Sequence, residues 1–292
     1  MLRDYQQDLY RKTVDAFKQG YRRPLVVAPC GAGKSYLFAE MIRNTDGEVL
    51  VLTHRQELKQ QHEELLRKLE ISNVRVAMVL TEYNRLGQNV PPKLIVTDEA
   101  HLSRSNSWQK VIEYYDTYTV GFTATPIRLD GKPLGDIFDV LIEGVDVRWL
   151  IDNHRLAPYE YYAPTTVDTS ELPIVRGDYV VSDLERLMNE RAIYGNVIES
   201  YRRFASGERA IAYCVSVRHA TDTAEAFNSA GIRAAVLHSG TQPKQRQGVM
   251  DDFRSGRISI LCNVGIIEEG KSIDEVTCCM LLRPTDSIAL GI

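Results

Sequence analysis

The chain has 292 residues, of which 44% are hydrophobic and 25% charged, and its net charge is −4. That length supports one large core or two ordinary ones, and the composition is that of a globular protein. No apolar run reaches the roughly 18 residues of a membrane span, the opening MLRDYQQDLY is polar from its third residue and predicts no signal peptide, and five cysteines without a C-x-x-C pair argue against a disulfide framework or zinc site and for a reducing cytoplasm.

In chain order, apolar runs of strand length alternate with amphipathic helical stretches, the pattern of a parallel sheet covered by helices. Strands are predicted at 24–29 (PLVVAP), 48–53 (EVLVLT), 74–80 (VRVAMVL), 93–98 (KLIVTD) and 119–124 (TVGFTA), with a helix over 55–70. Beyond residue 150 the pattern loosens. Residues 155–179 hold three prolines and little helical periodicity, and read as a connector with room for one strand. A second alternating set follows at 209–215 (RAIAYCV), 232–237 (IRAAVL), 258–264 (ISILCNV) and 276–282 (VTCCMLL). Two α/β units in series result. The acidic net charge provides no overall field for a polyanion, so a nucleic-acid partner has to be held by local groups.

The residues with chemical promise sit at the ends of predicted strands. APCGAGKS (28–35) follows one strand and opens a helix, close to the phosphate-loop pattern G-x-x-x-x-G-K-[ST], with Ala28 where the first glycine would stand. Glycines allow backbone N–H groups to curl around an anion at a helix N-terminus. Lys34 then suits terminal phosphates and Ser35 a Mg²⁺ ion; a glycine-rich turn with an incidental lysine is the plain alternative. KLIVTDEAH (93–101) ends a strand in adjacent carboxylates at the sheet edge where α/β ligands bind. Asp98 suits the metal, and Glu99 suits the polarisation of an attacking water. By themselves two acids after a strand are an ordinary solvated turn, but a phosphate loop on the same sheet gives them a partner.

On these residues the chain resembles the superfamily 2 helicases and translocases that carry a DEAH box, and among them the restriction- and repair-type DNA helicases. Seven stretches match in order: LRDYQ (2–6), APCGAGKS (28–35), THRQEL (53–58), DEAH (98–101), TATPIRLDG (123–131), AIAYCVSVRHA (210–220) and CNVGIIEEGKSID (262–274). The resemblance implies an α/β fold of two RecA-like (P-loop NTPase) domains in tandem, over 1–147 and 148–292, using ATP and Mg²⁺ on a nucleic acid, DNA ahead of RNA. It implies that Arg3, Gln6, Cys30, Gly31, Ala32, Gly33, Lys34, Ser35 and Gly270 contact the nucleotide, Gln6 at the adenine edge, and that Ser35 and Asp98 hold the metal. Lys34, Asp98 and Glu99 would serve catalysis. His101, Thr123 and Thr125 would couple the ATP site to lobe closure, although a packed core histidine would look the same at 101. Thr53, Arg55, Ser239 and Thr241 would meet the nucleic-acid backbone, to which hydroxyls and arginines are suited; helix caps use the same residue types.

Three departures from the family pattern qualify those expectations. Only residues 71–92 separate the helix after THRQEL from the DEAH strand, leaving space for one clear strand where relatives have two and a nucleic-acid-gripping loop. In the fifth conserved region Glu268, Glu269 and Gly270 stand for a threonine-glutamate-glycine run, and Ser272 for the usual aspartate; an added carboxylate near phosphate is repulsive. LLRPTDSIALGI (281–292) would precede the helix bearing the arginine finger, so the second lobe is expected to be incomplete at its C-terminus, with that helix supplied by a further chain or segment. Two readings follow: an ATP-dependent helicase or translocase, or a catalytically weak nucleotide- and nucleic-acid-binding regulatory subunit.

Overall fold

In the computed structural model, which describes residues 2–103, 106–126, 134–163, 170–175, 178–188, 191–265, 273 and 275–284, the strand-like apolar runs build two separate sheets. The chain divides into two compact units, one up to Tyr159 and one from Glu160 on.

The first unit opens with helix α1 (Asp4–Lys18), followed by strand β1 (Pro24–Val27), α2 (Lys34–Arg43), β2 (Val49–Thr53), α3 (Gln56–Lys68), β3 (Val74–Met78) and α4 (Val79–Tyr83). Strand β4 (Leu94–Thr97), a 3₁₀ turn (Ala100–Leu102), α5 (Asn106–Tyr115), β5 (Tyr118–Thr123), β6 (Val140–Glu143) and α6 (Val147–Asp152) complete it. The six strands are parallel, in the order β3-β2-β4-β5-β1-β6. Strand β6 was not among the predicted strands. It is a short edge strand with one buried residue in four, too weak a pattern to stand out from the sequence. The expected run 74–80 splits into β3 and α4, and β3 is the one strand in the segment 71–92.

Side-chain alternation explains why this sheet is covered on both faces. Along β2, Val49 and Val51 join the core that includes Phe38 and Ile42 of α2, whereas Leu50 and Leu52 join the opposite core with Trp108 and Val111 of α5. A parallel sheet with helices on both faces reads as a continuous apolar run for this reason. Each such residue is fully buried and contributes about 1.5–3 kcal/mol of hydrophobic stabilisation. Helix α6 packs within this unit, with Trp149 edge-on to Tyr5 at 5.5 Å.

The second unit begins with a two-stranded antiparallel ribbon, β7 (Ile174–Val175) and β8 (Asp178–Tyr179), in the stretch that read as a connector. Helices α7 (Val181–Met188) and α8 (Arg191–Phe204) lead into β9 (Ala210–Tyr213), α9 (Val217–Ser229), β10 (Ala234–His238), α10 (Pro243–Arg254), β11 (Ile260–Val264) and β12 (Cys278–Leu281). These four strands are again parallel, in the order β10-β11-β9-β12. Alternation recurs: Ala210 and Ala212 face one core and Ile211 the other. Among the described residues no helix is long and apolar enough to cross a membrane.

Candidate functional site

Three neighbouring strands of the first unit, β4, β5 and β1, end at one sheet edge, and each delivers one of the motifs there. Register fixes the alignment: Val27 pairs with Thr123, and Thr97 with Gly121. The Ala28 amide continues the ladder by donating to Thr123 O at 3.0 Å. Ligands of open α/β sheets bind at this carboxyl edge.

The glycine loop turns sharply between β1 and α2. Gly31 and Gly33 have φ of 77° and 79°, in the left-handed region that glycine enters without a Cβ penalty. Gly33 is the N-cap of α2, so Lys34 and Ser35 lie in the first helical turn. The Lys34 ammonium donates to Ala28 O at 3.1 Å and Pro29 O at 3.4 Å, which folds it back over the loop. Cys30 is exposed and Ala32 buried. Gln6, buried in the first turn of α1, donates from Nε2 to Ala32 O at 2.9 Å and accepts the Arg3 N–H at 2.9 Å. Its amide is thus tied to the phosphate loop and to the start of α1, while Arg3 itself is exposed.

Asp98 and Glu99 follow β4 and are both almost fully buried. Burial acts to raise the Asp98 pKa, but the hydrogen bond and charge of His62, the charge of Lys34 and the Glu99 amide outweigh it and hold the carboxyl below its usual range. The lysine and carboxylate therefore feel each other's charge across the sheet edge. Glu99 adopts φ 53°, ψ 53°, a left-handed conformation that costs a non-glycine residue about 1–3 kcal/mol. That turn starts the 3₁₀ segment and brings His101 Nδ1 to 3.4 Å from Glu99 Oε2 and 3.3 Å from Thr123 Oγ1. The Thr123 hydroxyl donates to Thr125 O at 2.8 Å and accepts the Thr125 N–H at 3.1 Å. One continuous polar chain thus links the DEAH carboxylate to the end of β5. Gly121 leaves room on β5 for Phe138 and for Ala100 of the DEAH turn, because a Cβ there would lie 2.5 Å from the Phe138 ring and 2.9 Å from the Ala100 Cβ.

The residues expected at a nucleic acid are less uniform. Arg55 is half-buried at the N-cap of α3, with Nε 3.0 Å from His54 Nε2. Thr53 is fully buried and its hydroxyl has no hydrogen-bond partner, so it presents no surface oxygen. Ser239 is exposed. Thr241 is buried and its hydroxyl accepts the His238 N–H at 3.1 Å, closing a turn. Gly270, Glu268, Ser272 and the final residues 285–292 lie outside the described residues. His62, the hydrogen-bond partner of Asp98, escaped the sequence reading. Its trace is a histidine on the apolar face of α3, between Leu58 and Leu66.

Comparison with known proteins identifies relatives of both units. The model of the type III restriction enzyme, res subunit, matches residues 1–90 and 77–128, and that of the helicase conserved C-terminal domain matches 192–290. A "51.5 kDa protein" of a Lactococcus phage is 38% identical over 272 residues, covering 91% of this chain and 60% of that protein. The putative ATP-dependent helicase IRC3 of Saccharomyces cerevisiae is 27% identical over 330 residues, covering 99% and 48%. The chain thus spans about half to three-fifths of the length of these curated relatives. Among solved structures, the helicase domain of Pyrococcus furiosus Hef aligns with a TM-score of 0.53 at 15% identity, covering 99% of this chain and 91% of that one. Dbp5 of S. cerevisiae, bound to RNA and ADP BeF3, aligns at 0.52 and 17% identity, covering 89% and 70%. At those identities the two structures speak for the fold, which is that of tandem RecA-like domains. Two family models that together span both units, with the glycine loop and DEAH turn at one edge of the first sheet on strands that flank β5, place the chain in superfamily 2, among the DEAD/DEAH-type helicases.

Proposed function

We propose that the chain binds ATP with Mg²⁺ at the edge formed by β4, β5 and β1 and couples its hydrolysis to movement on, or unwinding of, nucleic acid. The observation that carries this reading is the convergence there of a left-handed glycine loop ending in Lys34, the buried carboxylates Asp98 and Glu99, and the Thr123–His101 hydrogen bond. The residues fit the ligand. The loop opens a helix N-terminus, favourable to anions. The Asp98 oxygens each carry one hydrogen bond and keep further acceptor capacity for a cation.

In this reading Lys34 leaves its carbonyl partners for the terminal phosphates, and the loop amides hold the phosphates beside it. Ser35 and Asp98 would hold Mg²⁺, which when bound offsets negative charge on the phosphate oxygens. Glu99 orients a water and draws off its proton. His101, Thr123 and Thr125 pass a change at Glu99 to the end of β5. The restriction-subunit model and the repair-type motifs favour DNA over RNA as the track.

The test separates binding from chemistry. Lys34→Ala should remove most of the affinity for a non-hydrolysable ATP analogue, since a charge-assisted contact contributes about 1.5–3 kcal/mol. Glu99→Gln should keep that affinity while lowering hydrolysis about 10²–10⁴-fold. Equal affinity of wild type and Lys34→Ala in calorimetry would remove the basis for the site.

A further inference from the structure

The first unit buries a polar ring that the site above leaves unexplained. His62 lies midway along α3 on its core face, with Leu58 one turn before it and Leu66 one turn after, and is 2% exposed. Such a position suits leucine. The imidazole packs edge-on against Phe38 of α2, ring centroids 5.1 Å apart at 84°. Its Nε2 lies 2.9 Å from Asp98 Oδ2, and its Nδ1 is buried with no hydrogen-bond partner. An orphaned ring nitrogen in an apolar core is unfavourable, so packing alone does not account for a histidine. The same contacts select the form of the ring. A proton on Nε2 is donated to the carboxylate, whereas a proton on Nδ1 would meet no acceptor.

Asp98 is held from two directions. Its Oδ1 accepts the Glu99 N–H at 3.1 Å, from the adjacent residue. Its Oδ2 accepts from His62, which arrives on a different element 36 residues away in sequence. One donor on each oxygen restricts rotation of the carboxylate about its Cβ–Cγ bond and leaves lone pairs available for a cation.

We propose that His62 is a positioning residue for Asp98, fixing the carboxylate in the orientation that accepts the Mg²⁺ of the bound nucleotide. The proposal rests on the reading of Asp98 as the metal-holding carboxylate. Outer hydrogen-bond partners of ligating carboxylates typically change metal affinity about 10–100-fold when removed. Because Arg55 is the N-cap of α3, the same ring also fastens the element next to that arginine to the strand that carries Asp98.

The experiment titrates Mg²⁺ by calorimetry into the full chain with a non-hydrolysable ATP analogue, and measures analogue affinity in EDTA and the thermal midpoint alongside. His62→Leu should lower the apparent Mg²⁺ affinity about tenfold or more, leave metal-free analogue affinity within about twofold, and hold or raise the midpoint because leucine suits the apolar face. His62→Gln, which keeps an N–H donor at similar reach, should recover most of the Mg²⁺ affinity. Wild-type Mg²⁺ dependence in His62→Leu, with Lys34→Ala still deficient in analogue binding, would overturn the role of His62 and leave the site standing. A fall in metal-free affinity and midpoint in both His62 variants would mark a packing residue and overturn the role equally. Wild-type chain that binds the analogue without regard to Mg²⁺ would overturn both this role and the reading of Asp98.

Discussion

At the scale of single residues, the candidate site depends on backbone conformations that most side chains avoid. Gly33 shows the constraint most directly. It has φ 79°, and a Cβ added there would stand 2.3 Å from Gln6 Nε2, an atom already committed to Ala32 O. Gly33→Ala therefore combines left-handed strain of about 1–2 kcal/mol with displacement of a buried amide. The expected result is a loss of ATP-analogue affinity of about tenfold or more, read by calorimetry. Removing the obstructing side chain should recover part of it, so that Gly33→Ala with Gln6→Ala costs less than the sum of the two alone. Strict additivity would show that the cost does not arise at this contact. Glu99 is the opposite case: a non-glycine residue kept in the left-handed region, where its turn brings His101 within reach of Thr123. Strain of this kind persists where surrounding structure over-determines it, and here the 3₁₀ turn and the buried Ala100 beneath it do so.

At the scale of elements, α9 carries a pH-sensitive contribution to the stability of the second unit. Ser216 caps the helix by accepting the His219 N–H at 3.1 Å, and the His219 Nδ1 accepts the Val215 N–H at 3.2 Å. Burial lowers the His219 pKa below its usual 6.5, only partly offset by the charges of Asp222 and Glu185. The sign follows from linkage. As pH falls through about 6.5 the unfolded chain takes up the proton first, so stability present above that pH declines toward the lower folded-state pKa. One group contributes a slope of at most about 1.4 kcal/mol per pH unit. Denaturant unfolding of the wild type should show a lower midpoint at pH 5.5 than at 7.5. His219→Asn, which retains an acceptor and cannot take up a proton in this range, should lose that part of the difference. The same slope in both proteins would place the pH dependence elsewhere.

At the scale of the whole molecule, a net charge of −4 means that an attraction to nucleic acid is local. Of the four residues expected at the phosphates, Arg55 and Ser239 are at least partly accessible, while Thr53 and Thr241 are buried. Binding to a single-stranded oligonucleotide should accordingly be modest, indifferent to base sequence and weakened as salt rises. Arg55→Ala should weaken it uniformly across sequences and reduce the slope of log affinity against log salt by about 1. Fluorescence anisotropy at several salt concentrations gives both quantities. Affinity that is unchanged by salt, or that follows base sequence, would contradict a phosphate-based contact.

The sequence by itself determined the strands at 24–29, 48–53 and 93–98, the glycine loop and the DEAH turn, because each is written in adjacent residues. Apolar runs bounded by glycine, or by a strand-ending pair of acids, need no partner from elsewhere to be read. The tertiary structure decided what depends on distant residues. The order β4-β5-β1 sets the DEAH turn one strand away from the glycine loop at the same sheet edge, and Gly121 is required because Phe138 and Ala100 approach it. Edge strand β6 forms by pairing with β1, which its own weak pattern does not announce. The burial of Thr53, the attachment of Gln6 to Ala32 and the hydrogen bond from His62 to Asp98 join elements far apart in sequence. Local pattern fixes which way a side chain points on its own helix or strand, but packing of the other elements decides what it meets there.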